Sequence, residues 1–230
     1  MVFRLEEQMC EPVMTWLKSQ NLLVRTELHV PWGVCDIVAC EADPQKVEAR
    51  KKLRQFSKIG SHSKIALFLA TPDEDQTRGI SQERLCQQFA VGGNRSRIDH
   101  EIESLIKHHF LFRTRSGCLR SRNGWKPLHS RLVAVELKLE KVRQALGQAT
   151  RNQGFADESY VAFPYDLAKQ VLESDRRHMF LSDGVGVLGV SDTNCKCLIH
   201  PIRKRDRIDS SVELHVVDKF WSEFKSGSYS

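Results

Sequence analysis

Leu132-Val133-Ala134-Val135-Glu136-Leu137-Lys138 is an apolar run that closes on two opposite charges. On a strand successive side chains alternate faces, so Glu136 and Lys138 point one way while Val135 and Leu137 turn into a core. A carboxylate and an ammonium at the end of a buried strand are costly unless something uses them. A divalent metal and a phosphate would use both. The other apolar run, Val34-Cys35-Asp36-Ile37-Val38-Ala39, carries Asp36 in a similar setting. One Asp ending one central strand, with Glu-x-Lys ending the next, is the ligand set expected of a metal-dependent phosphodiesterase.

The chain contains its own controls. Glu223-Phe224-Lys225 has the same spelling, but it lies among Phe220, Trp221 and Phe224 in what reads as a short amphipathic C-terminal helix. Asp73-Glu74-Asp75 is acidic and loop-like. The apolar, β-branched setting of Asp36 and Glu136 separates them from these decoys. Downstream, Glu140 to Asn152 reads as a helix with Val142, Ala145, Leu146 and Ala149 on one face. Gly154 closes it, and Ser159-Tyr160-Val161-Ala162-Phe163 reads as a strand stopped by Pro164.

The order helix, strand, Asp-bearing strand, Glu-x-Lys strand, helix, strand resembles the PD-(D/E)XK, or restriction-endonuclease-like, nuclease superfamily. The resemblance covers about residues 1–42 and 130–200. It implies an α/β fold with a mixed central sheet flanked by helices. It also implies that Asp36 and Glu136 ligate Mg²⁺ (or Mn²⁺) with the Leu137 carbonyl, and that Lys138 holds the attacking water or the phosphate. Cys35 stands where the superfamily often has a proline. Many relatives carry a further Glu on the first helix, here expected over Met1 to Ser19 with Met9, Val13, Trp16 and Leu17 buried. Of Glu6, Glu7 and Glu11, Glu6 at the edge of that stripe is the candidate. Gln148 matches a helix glutamine frequent in the superfamily.

Between Asp36 and Glu136 lies far more chain than a connection between neighbouring strands needs. Residues 45–131 hold 18 Lys and Arg against 8 Asp and Glu, a balance of +10, which leaves −4 for the rest of a chain whose net charge is +6. That asymmetry suggests a nucleic-acid partner for the segment. Helices are expected over Ser63–Ala70, Ser81–Phe89 and about Arg95–His109, with Ala90–Gly93 as a turn. The second pair forms a helix-turn-helix, with Arg95 and Arg97 at the start of the helix that would reach base edges. Phe110–Arg115 and Cys118–Arg122 then read as a basic hairpin, with Arg113 and Arg115 sharing one face, and Arg120 and Arg122 another. Residues 60–125 therefore resemble a winged helix-turn-helix, which implies that those four arginines meet DNA phosphates. Lys46 to Lys58 reads as a basic linking helix or a connector.

The expected architecture is thus a discontinuous nuclease-like core, residues 1–44 and 131–230, interrupted by a basic winged helix-turn-helix domain over 45–130. The expected activity is metal-dependent hydrolysis of DNA phosphodiesters. The alternative is a non-cleaving DNA-binding regulator that keeps the fold as a scaffold. No stretch approaches the ~20 apolar residues of a spanning helix, and the acidic start is not read as a signal peptide. Seven cysteines with no Cys-x₂-Cys pair point to reduced thiols and a cytoplasmic or nucleoid-associated setting. A homodimer is left open, since cutting both strands of a duplex would usually need two active sites. Gly184–Gly189 spells G-x-G-x-x-G, but a turn and a strand follow it, so it reads as a glycine-bearing strand and not a dinucleotide site.

Overall fold

The computed structural model describes residues 3–76, 78–89, 94–203 and 208–227. In chain order the elements are α1 (Cys10–Lys18), β1 (Leu23–Val30), β2 (Gly33–Ala42), α2 (Pro44–Lys52), α3 (His62–Ala70), α4 (Gln82–Phe89), α5 (Arg95–Lys107), β3 (Leu111–Arg113) and β4 (Leu119–Ser121). There follow β5 (His129–Leu137), α6 (Val142–Asn152), β6 (Glu158–Pro164), α7 (Tyr165–Glu173), α8 (Arg176–Asp183), β7 (Gly186–Val190), β8 (Cys195–Ile199), α9 (Ser210–Asp218) and α10 (Trp221–Ser226). The turn expected over Ala90–Gly93 lies outside the described residues. The chain divides into two compact units. Among the described residues, one unit holds 3–41 and 130–216, the other 42–129 and 217–227.

The first unit is α/β, built on a six-stranded mixed sheet of order β1-β2-β5-β6-β7-β8. Strands β5, β6 and β7 run parallel, while β1–β2 and β7–β8 pair antiparallel. Helix α1 begins later than the sequence suggests. A 3-10 turn over Glu6–Met9 leads into it, because Gln8 Oε1 accepts from the backbone N–H groups of Arg4 (2.7 Å) and Leu5 (3.1 Å). Met9, Val13 and Leu17 pack on Val133, Val135 and Leu137 of β5 and Tyr160 and Ala162 of β6. Full burial of each such side chain contributes about 1.5–3 kcal/mol.

On the opposite face Val161, Phe163 and Val187 meet Ala145, Leu146 and Ala149 of α6, Val171 of α7 and Phe180 of α8. Leu132, Ala134 and Glu136 of β5 are buried too, so this strand is covered on both sides, as parallel strands usually are. The glycine-rich run is indeed β7. An added Cβ at Gly189 would lie 2.8 Å from the Tyr165 ring, so glycine here serves close packing.

The second unit begins with α2, where Asp43 Oδ1 caps the backbone N–H groups of Gln45 (2.9 Å) and Lys46 (3.2 Å) and Pro44 opens the first turn. Helices α3, α4 and α5 bury Ile65, Phe68, Leu85, Ile98, Ile102 and Leu105. The β3–β4 hairpin follows α5 directly, and Ile80, between α3 and α4, bridges Leu119 of β4. Two features depart from the sequence reading. Arg50 of α2 is fully buried, ion-paired with Asp218 (3.1 Å) and held 3.9 Å above the Trp221 ring and 4.7 Å above that of Trp125. Residues 217–227 therefore belong with this unit and not with the first, since Asp218, Phe220, Trp221 and Phe224 complete its core. Among the described residues no helix is long and apolar enough to cross a membrane.

Candidate active site

Strand β5 ends where the sheet is buried on both faces, and that position governs the chemistry of its last residues. Asp36 of β2 and the β5 terminus are a hundred residues apart in sequence. Yet Asp36 Oδ2 accepts a hydrogen bond from the Leu137 backbone N–H at 2.7 Å. Glu136 is only 2% exposed. Its Oε1 accepts from Asn152 Nδ2 at 2.6 Å, while its Oε2 is buried with no partner. Lys138 Nζ donates to Glu6 Oε2 at 3.0 Å and to the Leu137 carbonyl at 2.9 Å. The structure therefore brings Asp36, Glu136, Leu137, Lys138 and Glu6 together. Of the three glutamates expected on the first helix, Glu6 is the one that reaches Lys138, from the 3-10 turn ahead of α1 and not from the helix itself.

The electrostatics follow from this crowding. Burial first, and the nearby Asp36 carboxylate second, push the Glu136 carboxyl up to about 7, against the opposing pull of Asn152 and Lys138. Burial, Glu136 and Asp36 likewise hold the neighbouring Cys35 thiol well above its usual range. A thiol held protonated in this way is a packing group and not a nucleophile.

Two contributors escaped the sequence reading. Asn152, in the last turn of α6, is itself oriented by Trp32 Nε1, which donates to its Oδ1 at 3.2 Å. A terminal Asn on a helix reads as a cap, so only the packing of α6 over β5 discloses its contact with Glu136. The other is Glu27, which with Glu6, Glu7 and Asp36 lines a cavity of about 660 Å³ in front of Leu137. Glu27 falls where the β1–β2 register skips a pair, between Thr26↔Ile37 and Leu28↔Cys35, in a left-handed conformation, φ 51°, which costs a non-glycine residue about 1–2 kcal/mol. Gln148 is half-buried, with its Oε1 unpartnered.

The residues fit a hard divalent cation of the Mg²⁺ type. Such an ion takes one or two carboxylates and keeps several waters. Asp36 and Glu136 supply that number, and the orphaned Oε2 of Glu136 is the acceptor left for it. The Leu137 carbonyl, already bonded to Lys138, retains a second lone pair. Among the described residues no group of three or more His, Cys, Asp and Glu side chains forms a metal cluster. The candidate is a two-carboxylate site and not a zinc-like cage.

The basic residues of the second unit are more occupied than their number suggests. Arg113 is ion-paired with Glu103 and also donates to Gln82 Oε1 at 2.7 Å. Arg122 pairs with Glu74 at 3.3 Å and lies 4.6 Å above the Phe112 ring. Arg120 donates to the Glu74 carbonyl. Strand β3 stops at Arg113, so Arg115 stands in the hairpin turn, exposed, and does not share a strand face with Arg113. At the start of α5, Arg95 and Arg97 are exposed, the latter 3.5 Å from Glu101.

All seven cysteines are free thiols, four of them buried. Comparison with known protein families, curated proteins and solved structures returns no match for this chain.

Proposed function

We propose that this chain is a metal-dependent DNA nuclease with a PD-(D/E)XK, restriction-endonuclease-like core and an inserted winged helix-turn-helix. One observation carries the reading: Asp36 reaches across from β2 to the backbone between Glu136 and Lys138, beside a buried glutamate oxygen that has no partner. A bound Mg²⁺ or Mn²⁺ would supply Lewis acidity and a deprotonated water at neutral pH. Asp36 and Glu136 would hold it, Asn152 fixing the Glu136 rotamer. Lys138, anchored by Glu6 and the Leu137 carbonyl, would present its remaining proton to the attacking water or to a phosphate oxygen. For the second unit, the order α3, bridging Ile80, α4, α5, β3–β4 supports the winged-helix reading. Arg95 and Arg115 are exposed and carry no ion pair among those described above, and Arg97, exposed but paired with Glu101, stands beside Arg95 for base and phosphate contacts.

The alternative, a DNA-binding regulator on a nuclease-like scaffold, draws on one observation: two of the three N–H groups of Lys138 are already engaged by Glu6 and Leu137. A single assay separates the two readings. Purified protein is incubated with plasmid and single-stranded DNA in Mg²⁺, Mn²⁺ or EDTA, alongside Glu136→Gln. Cleavage that needs the metal and is lost in the variant supports the nuclease. DNA binding without cleavage under any metal leaves the regulator.

A further inference from the structure

The cavity in front of Asp36 does not end there. Leu139, just past the β5 terminus, also lines a second cavity of about 510 Å³ at the ends of β6 and β7. Leu139, Pro164, Tyr165, Leu167 and Val190 make its lining largely apolar, with the acidic Glu140 and Asp166 and the polar Gln170 and Ser191 among them. A third cavity shares Glu140 and Leu167 with it and presents Lys141, Arg143 and Arg176, all exposed. The three cavities share lining residues in turn, so Asp36, an apolar slot and a cluster of cations follow one another along this end of the sheet.

The charge pattern decides what could lie along it. Two carboxylates at the slot disfavour a phosphate but accept the N–H groups on a base edge. The cations next to it favour a phosphate and offer a base nothing. A nucleotide whose base has left its partner satisfies both, whereas in a duplex the base is held inside the stack. Tyr165 is suited to receive it. It opens α7, and its ring is fixed against β7 by the missing side chain of Gly189. Lys169, whose Nζ is 5.4 Å from the ring centroid, is exposed.

Resting on the nuclease reading of the same site, we infer that the first unit binds single-stranded DNA beside the scissile bond. One unpaired base would pack against Tyr165, and its neighbouring phosphate would lie at Lys141, Arg143 and Arg176. The substrate is then a single strand, or a frayed or branched end, and not uninterrupted duplex.

The test uses the full chain carrying Glu136→Gln, so that binding is read without cleavage, and a short oligonucleotide containing aminopurine, either alone or annealed. The single strand should bind with quenched fluorescence. Adding Tyr165→Ala should weaken that binding about tenfold, the scale of one base–aromatic stack, and relieve the quench. Tyr165→Phe should retain both, and matching urea melts of Tyr165→Ala and its parent exclude a folding defect. Lys141→Ala with Arg143→Ala should weaken binding and flatten its salt dependence by about 0.7 per lost phosphate contact, with the quench intact. Equal single-strand affinity with and without Tyr165→Ala, or an unquenched probe, overturns the inference. Cleavage by the unmodified chain is scored separately. If the Tyr165-dependent quench persists without cleavage, the nuclease reading falls and the strand site stands. Cleavage without the quench gives the reverse.

Discussion

The two units handle charge in opposite ways. At the end of β5 in the first, a buried carboxylate oxygen has no partner, and its group is pushed up to about 7 by burial and by Asp36. In the second, several of the arginines behind its positive charge already have partners within the unit. Arg113 has Glu103, Arg122 has Glu74, and Arg50 has Asp218 and two indole rings. An unmet charge in a covered site stores free energy that a ligand can release, whereas a met charge has already spent it on the fold. Charge count finds a region; partner assignment says what the charges are for.

The contrast is broken most decisively at Glu136. Glu136→Gln keeps the shape and its contact with Asn152 but removes a ligand, so cleavage should fall by roughly a thousandfold or more, equivalent to several kcal/mol of lost transition-state stabilisation. DNA affinity should stay within about twofold, since phosphate contacts supply most of it. Cleavage rates and binding isotherms on one preparation check both. Activity that survives in EDTA, or in Asp36→Ala/Glu136→Ala, would mean that the unmet charge serves no metal.

Next in size is Arg50. Arg50→Ala strips the buried Asp218 of its cation and removes the aromatic contacts, so unfolding free energy should fall by about 3–5 kcal/mol. Urea melts followed by tryptophan emission, to which Trp125 and Trp221 beside Arg50 contribute, would report it. Arg113→Ala, which breaks an exposed pair, should cost less than about 1 kcal/mol. Similar costs for the two would erase the distinction between a buried charge that holds the fold and one that only decorates it.

The unmet charge should also show in stability. The folded value of Glu136, about 7, lies above its ordinary 4.5. Its contribution is therefore fully present below about pH 4.5 and is lost as pH rises through 7. In metal-free buffer, wild type and Glu136→Gln should be equally stable near pH 4.5. Near pH 8 the variant should be the more stable by up to roughly 3 kcal/mol. Denaturant melts of both proteins at the two pH values measure this. A gap that does not widen with pH would mean that Glu136 is ionised without cost.

What the sequence made legible divides along the same line. Local periodicity placed β5, α6 and α5, because Val142, Ala145, Leu146 and Ala149, or Ile98, Ile102 and Leu105, repeat at helical spacing and are buried as expected. The meeting of Asp36 with β5 was legible from two apolar runs that each carry charge, although Asp36 lies near the start of β2 and does not end it as the sequence reading had it. Contacts fixed by distant segments were not. Arg50 reads as one more basic residue in a charged helix until Asp218 and Trp221, far along the chain, close over it. Asn152 and Glu27 carry no local sign of their surroundings. Helix α7 and its Tyr165 followed a proline that marked only a stop, although proline ahead of a helix is also a start.

The smallest effect is the sharpest test of the second unit. Arg115 sits exposed in the hairpin turn, while Arg113 is held by Glu103 and Gln82. If the hairpin meets phosphates, Arg115→Ala should remove one contact and lower the slope of log K against log salt by about 0.9 on duplex DNA. Arg113→Ala should move that slope much less. Using Arg113 for DNA would require breaking its ion pair first, and Glu103, once uncovered, would repel the strand. The comparison is best made by titrating labelled duplex at several salt concentrations with each variant. Equal slope changes would show that the Glu103 pair opens on binding, and Arg113 would then count among the DNA contacts. No change for either variant would remove the hairpin from the interface and leave the exposed start of α5, with Arg95 and Arg97, as the surface by which this unit meets nucleic acid.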